Sequence, residues 1–174
     1  GESALKLIAR KGRWGDALVD LRFRYGTING ERDLQIDLRE AYLNVYMGPF
    51  DMRLGHQIIA WGRADGTNPT DNLTPRNLNV RSPHDDDMRL ANFGLRLHVN
   101  LARHSPTAAD MGADWMLRGE LVYLPVYAPA QFPDFGLGPP IEFIKPRYPG
   151  FDFEGGSAAA RLHFEHPAVD LSLS

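Results

Sequence analysis

Arginines recur at alternate positions in this sequence, where they share one parity with aspartates and glutamates. The segment from Asp20 to Arg24 has this pattern, and so have the segments around Arg39 and Arg96. In an extended chain, side chains two positions apart project from the same face. Arginines predicted to share one face are Arg22, Arg24, Arg39, Arg53, Arg96, Arg118 and Arg161. Because a guanidinium group pairs with carboxylate, phosphate or sulfate, this face could attract and orient anionic or hydroxylated solutes.

The same arginines also have a purely structural interpretation. They could pair across strands with acids of the same parity, because polar groups cut off from bulk water need partners. Those acids are Asp20, Asp37, Glu120, Glu165 and Asp170. The 22 acidic residues of the chain nearly match its 19 lysines and arginines, which favours such pairing. The two interpretations are compatible, since a charge ladder can line a pore.

Strands are the elements that would hold these arginines. Apolar and polar residues alternate in segments of about ten residues, the period of a strand with one apolar face. Helical periodicity is almost absent. Eight strands are predicted, near residues 5–10, 17–25, 34–43, 51–61, 95–101, 115–123, 158–166 and 169–174. In the third predicted strand, the apolar residues change from even to odd positions between Leu38 and Leu43, which predicts a β-bulge or a strand end there.

The connections between the predicted strands alternate in length. Short turns join strands one and two, three and four, and seven and eight, whereas the loops at 62–87 and 125–156 are long. Outer-membrane up-and-down barrels have short turns on the periplasmic side and longer loops outside. The fold class predicted is therefore all-β, an antiparallel up-and-down transmembrane β-barrel, with the long loops extracellular or folded into the lumen.

No stretch of the sequence approaches the roughly 18 consecutive apolar residues of a membrane-spanning helix.

Aromatic residues near the predicted strand ends fit this interpretation. Tryptophan and tyrosine prefer the two membrane interfaces, and the residues predicted to form these girdles are Trp14, Tyr25, Tyr46, Trp61, Trp115 and Tyr123. A soluble β-barrel or sandwich is the alternative fold. It would bury Leu21, Phe23, Leu97 and Leu121 in its interior, and it has no reason to place aromatic residues at both strand ends.

Strand directions predict a barrel larger than eight strands. If the short turns are periplasmic, strand one runs downward and strand eight upward, whereas both chain ends of such barrels normally lie in the periplasm. We therefore interpret residues 1–174 as a single barrel portion, an internal fragment of a barrel with at least ten strands. A closed eight-stranded barrel is the alternative.

Residues 39–42 (Arg-Glu-Ala-Tyr), 52–57 (Met-Arg-Leu-Gly-His-Gln), 60–62 (Ala-Trp-Gly) and the pair Asn68-Pro69 follow one another in order. This series resembles a porin-like family of largely uncharacterised proteobacterial outer-membrane barrels, distantly similar to alginate-export and phosphate-selective porins. The resemblance covers Asp37 to Leu97. It implies a transport or channel barrel in the outer membrane of a Gram-negative bacterium and names no solute. His56 departs from it, because the family usually has arginine there.

Composition excludes several other classes of protein. The chain has no cysteine, which excludes a disulfide scaffold, a zinc ribbon and a thiol nucleophile. A net charge of -3 with interleaved acids and bases gives no basic stripe for nucleic acid. The loop at 62–87 holds oxygen ligands such as Asp65 and Asp71 that could bind Ca²⁺, but their spacing does not match the calcium-loop template. A solvated loop without bound Ca²⁺ is therefore favoured. His84 has no second histidine in this loop to complete a transition-metal site. The sequence predicts neither a metal nor a cofactor.

Catalytic motifs are absent from the sequence. Ser157 follows Gly155-Gly156 but does not lie in a Gly-x-Ser-x-Gly elbow, and there is no metalloprotease motif or phosphate-binding glycine loop. Only Glu40, His56 and His98 lie where acid or base chemistry could reach the lumen. We predict that the protein is not an enzyme, with an outer-membrane hydrolase as the residual alternative.

The long loop at 125–153 has an unusual composition for a surface segment. It contains seven prolines, five phenylalanines and two tyrosines, and exposed apolar patches of this kind generally mark interaction sites. It could constrict the lumen, cover the mouth as a lid, contact a protein partner, or pack on itself.

The function predicted from these patterns is a channel. The chain would form an outer-membrane transport barrel that passes a polar, anionic solute through an arginine-containing lumen, in contact with lipid and lipopolysaccharide. The alternative is a structural or partner-binding barrel, plugged by its loops or by another protein. A loop at 125–153 folded inward would favour transport, and one splayed outward would favour the partner role.

Overall fold

A computed structural model describes residues 2–28, 31–61, 73–78, 85–105, 113–126, 130–132 and 156–174. They form one eight-stranded antiparallel sheet in which each strand pairs with its neighbours in the chain, so β1 and β8 are its two edges. The strands are β1 (Glu2–Lys11), β2 (Gly15–Ile28), β3 (Glu31–Met47), β4 (Phe50–Gln57), β5 (Asn92–His104), β6 (Trp115–Leu124), β7 (Ser157–His166) and β8 (Val169–Leu173). The all-β, up-and-down arrangement and its eight strands confirm the prediction at that level.

Among the described residues, one short helical element accompanies the strands. It is a single 3-10 turn at Asp85–Met88. A helix long and apolar enough to cross a membrane does not occur in the described parts of the chain.

Short turns and long connections mostly lie at opposite ends of the strands; the β5–β6 connection, residues 105–114, is longer than the three turns at its end. The turns after β1, β3 and β7 lie at one edge, where Gly12 and Gly48 have φ values of 56° and 61° that glycine adopts without steric cost. We call this end of the strands the short-turn edge, as distinct from the edge strands β1 and β8. At the opposite, long-loop edge, the chain leaves β4 and β6 in long connections. The β2–β3 connection at that edge is shorter than predicted, because the two strands extend to Ile28 and from Glu31.

The predicted irregularity in the third strand is a β-bulge. Asp20 pairs with Glu40 while Leu21 pairs with Leu38, so Arg39 is the extra residue. The bulge moves the apolar side chains of β3 from even to odd positions without turning the strand over. A second bulge, which the sequence did not predict, lies at Leu101 in β5.

Cross-strand pairing gives the sheet one apolar face and one polar face. Leu5 pairs with Leu21, and Leu97 with Leu121, so aliphatic side chains share the apolar face. Many of them are exposed, with 61% of Ile36 accessible to solvent. A soluble barrel would require the burial of four residues on this face. None of them is buried, since each is half-buried or exposed: Leu21, Phe23, Leu97 and Leu121.

The hydrophobic core lies on the polar face instead, where chain from the long connection after β4 packs against the sheet. Ile59, Trp61 and Leu73 contact Val122 and Leu124 of β6, and all five are at most 8% exposed. We call these five residues the docking core. Burial of apolar side chains at this point stabilises the attachment of the loop to the polar face.

Gly55 in β4 is a position where backbone geometry requires glycine. Its φ is 137°, and a Cβ atom there would overlap the carbonyl oxygen of Ala41. We expect Gly55→Ala to lower the free energy of unfolding by about 1–3 kcal/mol, because the strained backbone and the overlap must both be relieved. Urea titration of the folded protein, followed by tryptophan fluorescence, measures this. Gly26→Ala is the matched control, since a Cβ there meets open space, and an equal loss in both variants would contradict the explanation.

Candidate functional site

Strands β2 and β3 bring charged side chains together on the polar face near the long-loop edge. Alternation in β2 places Arg22 and Arg24 on this face, and Arg22 pairs in register with Asp37 of β3. Arg24 Nη1 donates a hydrogen bond to Asp37 Oδ2 at 3.1 Å. The bulge adds Arg39 to the same region. The local sequence pattern therefore builds one wall of a charged site.

Three loop segments lie over this wall and bond to each other. Asn77 N donates to Met88 O at 2.6 Å, Leu90 N to Pro75 O at 2.8 Å, and Leu78 N to Gln131 O at 2.8 Å. Residues 73–78, 85–91 and 130–132 thus form a small layer, which we call the loop layer. Both long connections contribute to it, since Gln131 belongs to the connection after β6.

Specific contacts hold the loop layer against the sheet. Arg22 Nη1 donates to Asp87 Oδ1 at 3.1 Å, an ion pair between a strand and a loop. The side-chain amide of Asn92 in β5 donates to Leu73 O at 3.2 Å, and Ile59 N, just after the end of β4, donates to Thr74 Oγ1 at 3.1 Å. Together with the docking core, these contacts fix the position of the loop layer relative to the strands.

A cavity of about 340 Å³ lies between the strand wall and the loop layer. We call it the arginine cavity. It is lined by four arginines, two aspartates, one histidine, two amide residues and three aliphatic residues, of which Leu38 has its side chain on the apolar face. These residues are Arg22, Arg24, Arg39, Arg89, Asp37, Asp87, His56, Asn77, Gln131, Leu38, Leu90 and Ala91.

The lining carries charged groups of both signs. Asp37 and Asp87 are each 3.1 Å from a guanidinium group, of Arg24 and Arg22 respectively. Arg39 and Arg89 add two further guanidinium groups to the lining. A cavity with this composition can bind an anionic group through charge-assisted hydrogen bonds, and its carboxylates can accept hydrogen bonds from hydroxyl groups.

A second charged cluster surrounds the buried carboxylate of Glu120, which is 3% exposed. Its Oε1 accepts a hydrogen bond from Arg96 Nε at 2.6 Å and one from Trp61 Nε1 at 3.1 Å. His98 Nε2 lies 3.7 Å from the same oxygen. Trp61 therefore connects this cluster to the docking core, so a buried ion pair and apolar packing hold the same loop.

A third polar cluster lies on β2–β4 at the short-turn edge. Asp16 accepts hydrogen bonds from Asn44 Nδ2 at 2.8 Å and from the Tyr46 hydroxyl at 2.5 Å. Arg53 Nε donates to Asn44 Oδ1 at 2.8 Å, and its guanidinium lies 3.9 Å from the centre of the Tyr42 ring. Arg53 is thus held rigidly on the polar face by a hydrogen bond and by stacking.

The structure separates the seven predicted arginines into groups. Arg22, Arg24 and Arg39 line the arginine cavity, whereas Arg96 pairs with Glu120 and Arg53 belongs to the short-turn cluster. The other two donate hydrogen bonds to neutral side chains, from Arg118 Nε to Asn100 Oδ1 and from Arg161 Nη2 to Ser172 Oγ. Sequence reasoning missed Arg89, Asn77 and Gln131, because loop segments lack the alternation that identified the strand residues.

Four of the six predicted girdle residues belong to the apolar side or to a turn. Trp14 is 74% exposed in the β1–β2 turn and Tyr25 is 52% exposed. Trp115 and Tyr123 are half-buried in β6, where Trp115 stacks with His104 at a centroid distance of 6.1 Å.

Tyr46 and Trp61 differ from this pattern for identifiable reasons. The bulge at Arg39 reverses the parity of β3, so the Tyr46 side chain lies on the polar face and bonds to Asp16. Strand β4 ends at Gln57 rather than at Trp61, and the Trp61 ring is 4% exposed in the docking core. Both aromatic residues therefore lie on the polar face.

The three residues considered for acid or base chemistry have separate environments. Glu40 Oε1 accepts a hydrogen bond from Ile58 N at 3.0 Å, which caps the end of β4. His98 faces Glu120, and His56 lines the arginine cavity. These positions give no shared reaction centre among the described residues.

Some predicted features fall outside the described residues. They include the oxygen ligands Asp65 and Asp71, His84, and most of the loop at 125–153. Within the part of the chain that is described, no group of three or more His, Asp or Glu residues could hold a metal ion.

No protein-family model, no curated protein and no solved structure matches this chain. What the chain does must therefore be inferred from its two faces, from the loop layer and from the arginine cavity. The most distinctive of these features is a polar, arginine-bearing face that the protein covers with its own loops while its aliphatic face stays exposed.

Proposed function

We propose that this chain forms part of a Gram-negative outer-membrane β-barrel that passes a polar, anionic solute through an arginine-containing lumen. The exposed apolar face carries the proposal. Large aliphatic side chains there, such as Leu7 at 55% and Leu171 at 58% exposed, would associate in water but are stable against lipid. The opposite face holds paired charges and the buried residues, as the inside of a membrane barrel does.

Strand length and aromatic placement support the membrane part of the proposal. A transmembrane strand needs about 9–11 residues, and β2 and β3 have 14 and 17. Trp14 and Trp115 lie at the short-turn edge and Tyr25 at the long-loop edge, which suits two interfacial girdles in contact with phospholipid and lipopolysaccharide. In the barrel, β1 and β8 would pair with further strands.

The loop layer supports the transport part of the proposal. It lies on the polar face, where it would narrow the lumen beside Arg22, Arg24 and Arg39. The described piece of the Pro/Phe-rich loop, residues 130–132, joins this inward layer through Gln131. Backbone folded into a lumen, with arginines facing it, is a constriction that selects solutes by charge and size.

A structural, partner-binding barrel is the second candidate. The docking core favours it, because a loop held by Ile59, Trp61 and Leu73 against β6 resists displacement and could act as a plug. In this candidate the Pro/Phe-rich loop at 125–153 binds another protein, and no solute passes.

Ion currents through the complete barrel that contains this chain, reconstituted in planar lipid bilayers, test the channel. We expect discrete anion-preferring steps, and we expect Arg53→Gln to lower the anion-to-cation permeability ratio about twofold, because a fixed positive charge on the polar face is lost. Lys11→Gln is the control, because it removes the same charge from the apolar face. Lys11 lies beside the β1–β2 turn and pairs in register with Gly15.

Two results would count against the channel. Insertion without current would favour the plugged barrel. Equal shifts in permeability ratio for Arg53→Gln and Lys11→Gln would mean that the polar face does not line the conduction path.

A further inference from the structure

A groove of about 300 Å³ lies on the apolar face at the short-turn edge, across β1, β2 and β3. We call it the turn groove. Cross-strand register places six of its lining residues on this face, and these are Ala9, Lys11, Gly15, Ala17, Leu43 and Val45. Trp14 adds its indole from the β1–β2 turn. The remaining lining residues belong by alternation to the polar face, and they are Arg10, Asp16 and Asn44.

The floor of the turn groove is open because its residues are small. Ala9 pairs in register with Ala17, and a Cβ atom at Gly15 would overlap the carbonyl oxygen of Asn44. Leu43 of β3 provides aliphatic surface on one side. A hydrocarbon chain suits such a surface, and the groove lies on the face that the proposed function places against lipid.

Two cations lie at the turn end of this groove. Lys11 and Arg13 flank Gly12, and both are exposed. Among the described residues, neither forms an ion pair, whereas Arg103 at the same edge pairs with Asp114 at 3.9 Å. Of the three short turns and the residues beside them, only the β1–β2 turn carries lysine or arginine. This turn therefore presents positive charge that no described acid neutralises.

Backbone hydrogen bonds fix the turn. Trp14 N donates to Lys11 O at 3.2 Å, and Tyr46 N donates to Trp14 O at 3.0 Å. The Trp14 side chain is nevertheless 74% exposed. A cation on a lipid-facing strand costs little only near the membrane interface, where indole rings also prefer to lie. In a membrane, this turn would therefore hold a cation and an indole at the level of the phospholipid headgroups.

From this arrangement we infer that the turn groove binds one anionic phospholipid, with an acyl chain along the groove and the headgroup phosphate beside Lys11 and Arg13. The inference rests on the membrane part of the proposed function, and it adds a lipid ligand at a defined place. Charge complementarity favours an anionic headgroup, because a zwitterionic headgroup brings its own cation to a turn that is already positive. Phospholipid is inferred rather than lipopolysaccharide, because short turns of such barrels lie on the periplasmic side.

A second groove on the apolar face provides a comparison within the same sheet. It has a volume of about 440 Å³ and lies across β5, β6 and β7. Its lining includes Leu97, Leu121 and Ala160 but no lysine or arginine. Acyl chains should cover this groove without preference for a headgroup, so it separates apolar fit from charge.

Fluorescence quenching by brominated lipids tests the site in the complete barrel that contains this chain, reconstituted in phosphatidylcholine vesicles. Brominated phosphatidylglycerol and brominated phosphatidylcholine are compared at equal mole fraction. The difference between the unaltered protein and Trp14→Phe gives the signal of Trp14 alone. We expect phosphatidylglycerol to bind beside Trp14 about fivefold more tightly than phosphatidylcholine, or more, because each lysine or arginine near an anionic headgroup contributes about that factor.

Substitutions separate the two parts of the site. Lys11→Gln combined with Arg13→Gln should bring the preference to about one, since both cations are lost. Arg103→Gln is the matched control, because Arg103 is 66% exposed at the same edge but has an acidic partner, and it should leave the preference unchanged. Ala9→Phe fills the groove and should weaken the preference, whereas Ala160→Phe in the second groove should not.

Trp115 is an internal control at the same edge. Its signal, obtained from the difference between the unaltered protein and Trp115→Phe, should show no preference between the two lipids. Equal quenching by both lipids at Trp14 would overturn the site. An unchanged preference in the variant without both cations, or the same preference at Trp115, would overturn it as well.

Ion currents from the same preparation separate this inference from the proposed function. Anion-selective current without a phosphatidylglycerol preference at Trp14 would overturn the site and leave the channel standing. A preference that depends on Lys11 and Arg13, in a barrel that passes no current, would support the site and contradict the channel. A protein that stays outside the vesicle membrane would contradict both.

Discussion

Glu120→Ala is expected to lower the free energy of unfolding by about 3–5 kcal/mol, because removing one partner of a buried ion pair leaves the other charge uncompensated. Glu120 is 3% exposed, and its Oε1 accepts hydrogen bonds from Arg96 and Trp61 at 2.6 and 3.1 Å. The substitution therefore leaves a guanidinium and an indole N–H without their acceptor. It also removes the polar link between β6 and the loop after β4.

Urea titration followed by tryptophan fluorescence measures this effect, and Trp61 reports on the loop directly. Glu120→Gln should cost less than alanine, because it keeps an oxygen acceptor and nearly the same volume. Glu165→Ala is the control, since it removes an acid that lies on the same face and is only half-buried. Equal losses for Glu120→Ala and Glu165→Ala would show that the Glu120 cluster contributes nothing special.

The strands were predictable from the sequence because their signal is local. Alternation needs only neighbouring residues, so the eight strands and an irregularity between Leu38 and Leu43 follow from the chain itself, whereas only the structure shows that the irregularity is a bulge at Arg39. The end of β4 was misjudged for the opposite reason. Residues 58–61 continue an apolar pattern that suggests a strand, but Ile59 and Trp61 use their apolar surface to pack on β6, about 60 residues away in the chain.

The candidate site was predictable only in part, for a related reason. Arg22, Arg24 and Arg39 are strand residues, and the alternation of the strands is enough to predict that they share one face. Arg89 and Gln131 reach the same cavity through backbone bonds between two separate loops. Contacts between distant loop segments have no period in the sequence, so alternation predicts neither the loop layer nor the cavity beneath it.

Trp61→Ala should release the loop layer from the polar face. The Trp61 ring is 4% exposed against Val122 and Leu124, and its Nε1 donates to Glu120. Truncation of a buried aromatic residue costs about 3–5 kcal/mol, and here that loss falls on the attachment of the loop rather than on strand pairing. If the loop layer is the constriction, we expect the single-channel conductance to rise about twofold or more, with weaker anion preference.

The control for this experiment is Trp14→Ala, which truncates an indole that is 74% exposed in a turn. It should leave both conductance and ion preference unchanged, although it removes the same ring. A wider, less selective pore in Trp61→Ala alone would identify the loop layer as the narrowest part of the lumen. Unchanged conductance in a Trp61→Ala protein that still inserts would mean that the path for ions lies elsewhere. The docking core would then serve stability alone, as the plugged, partner-binding barrel requires.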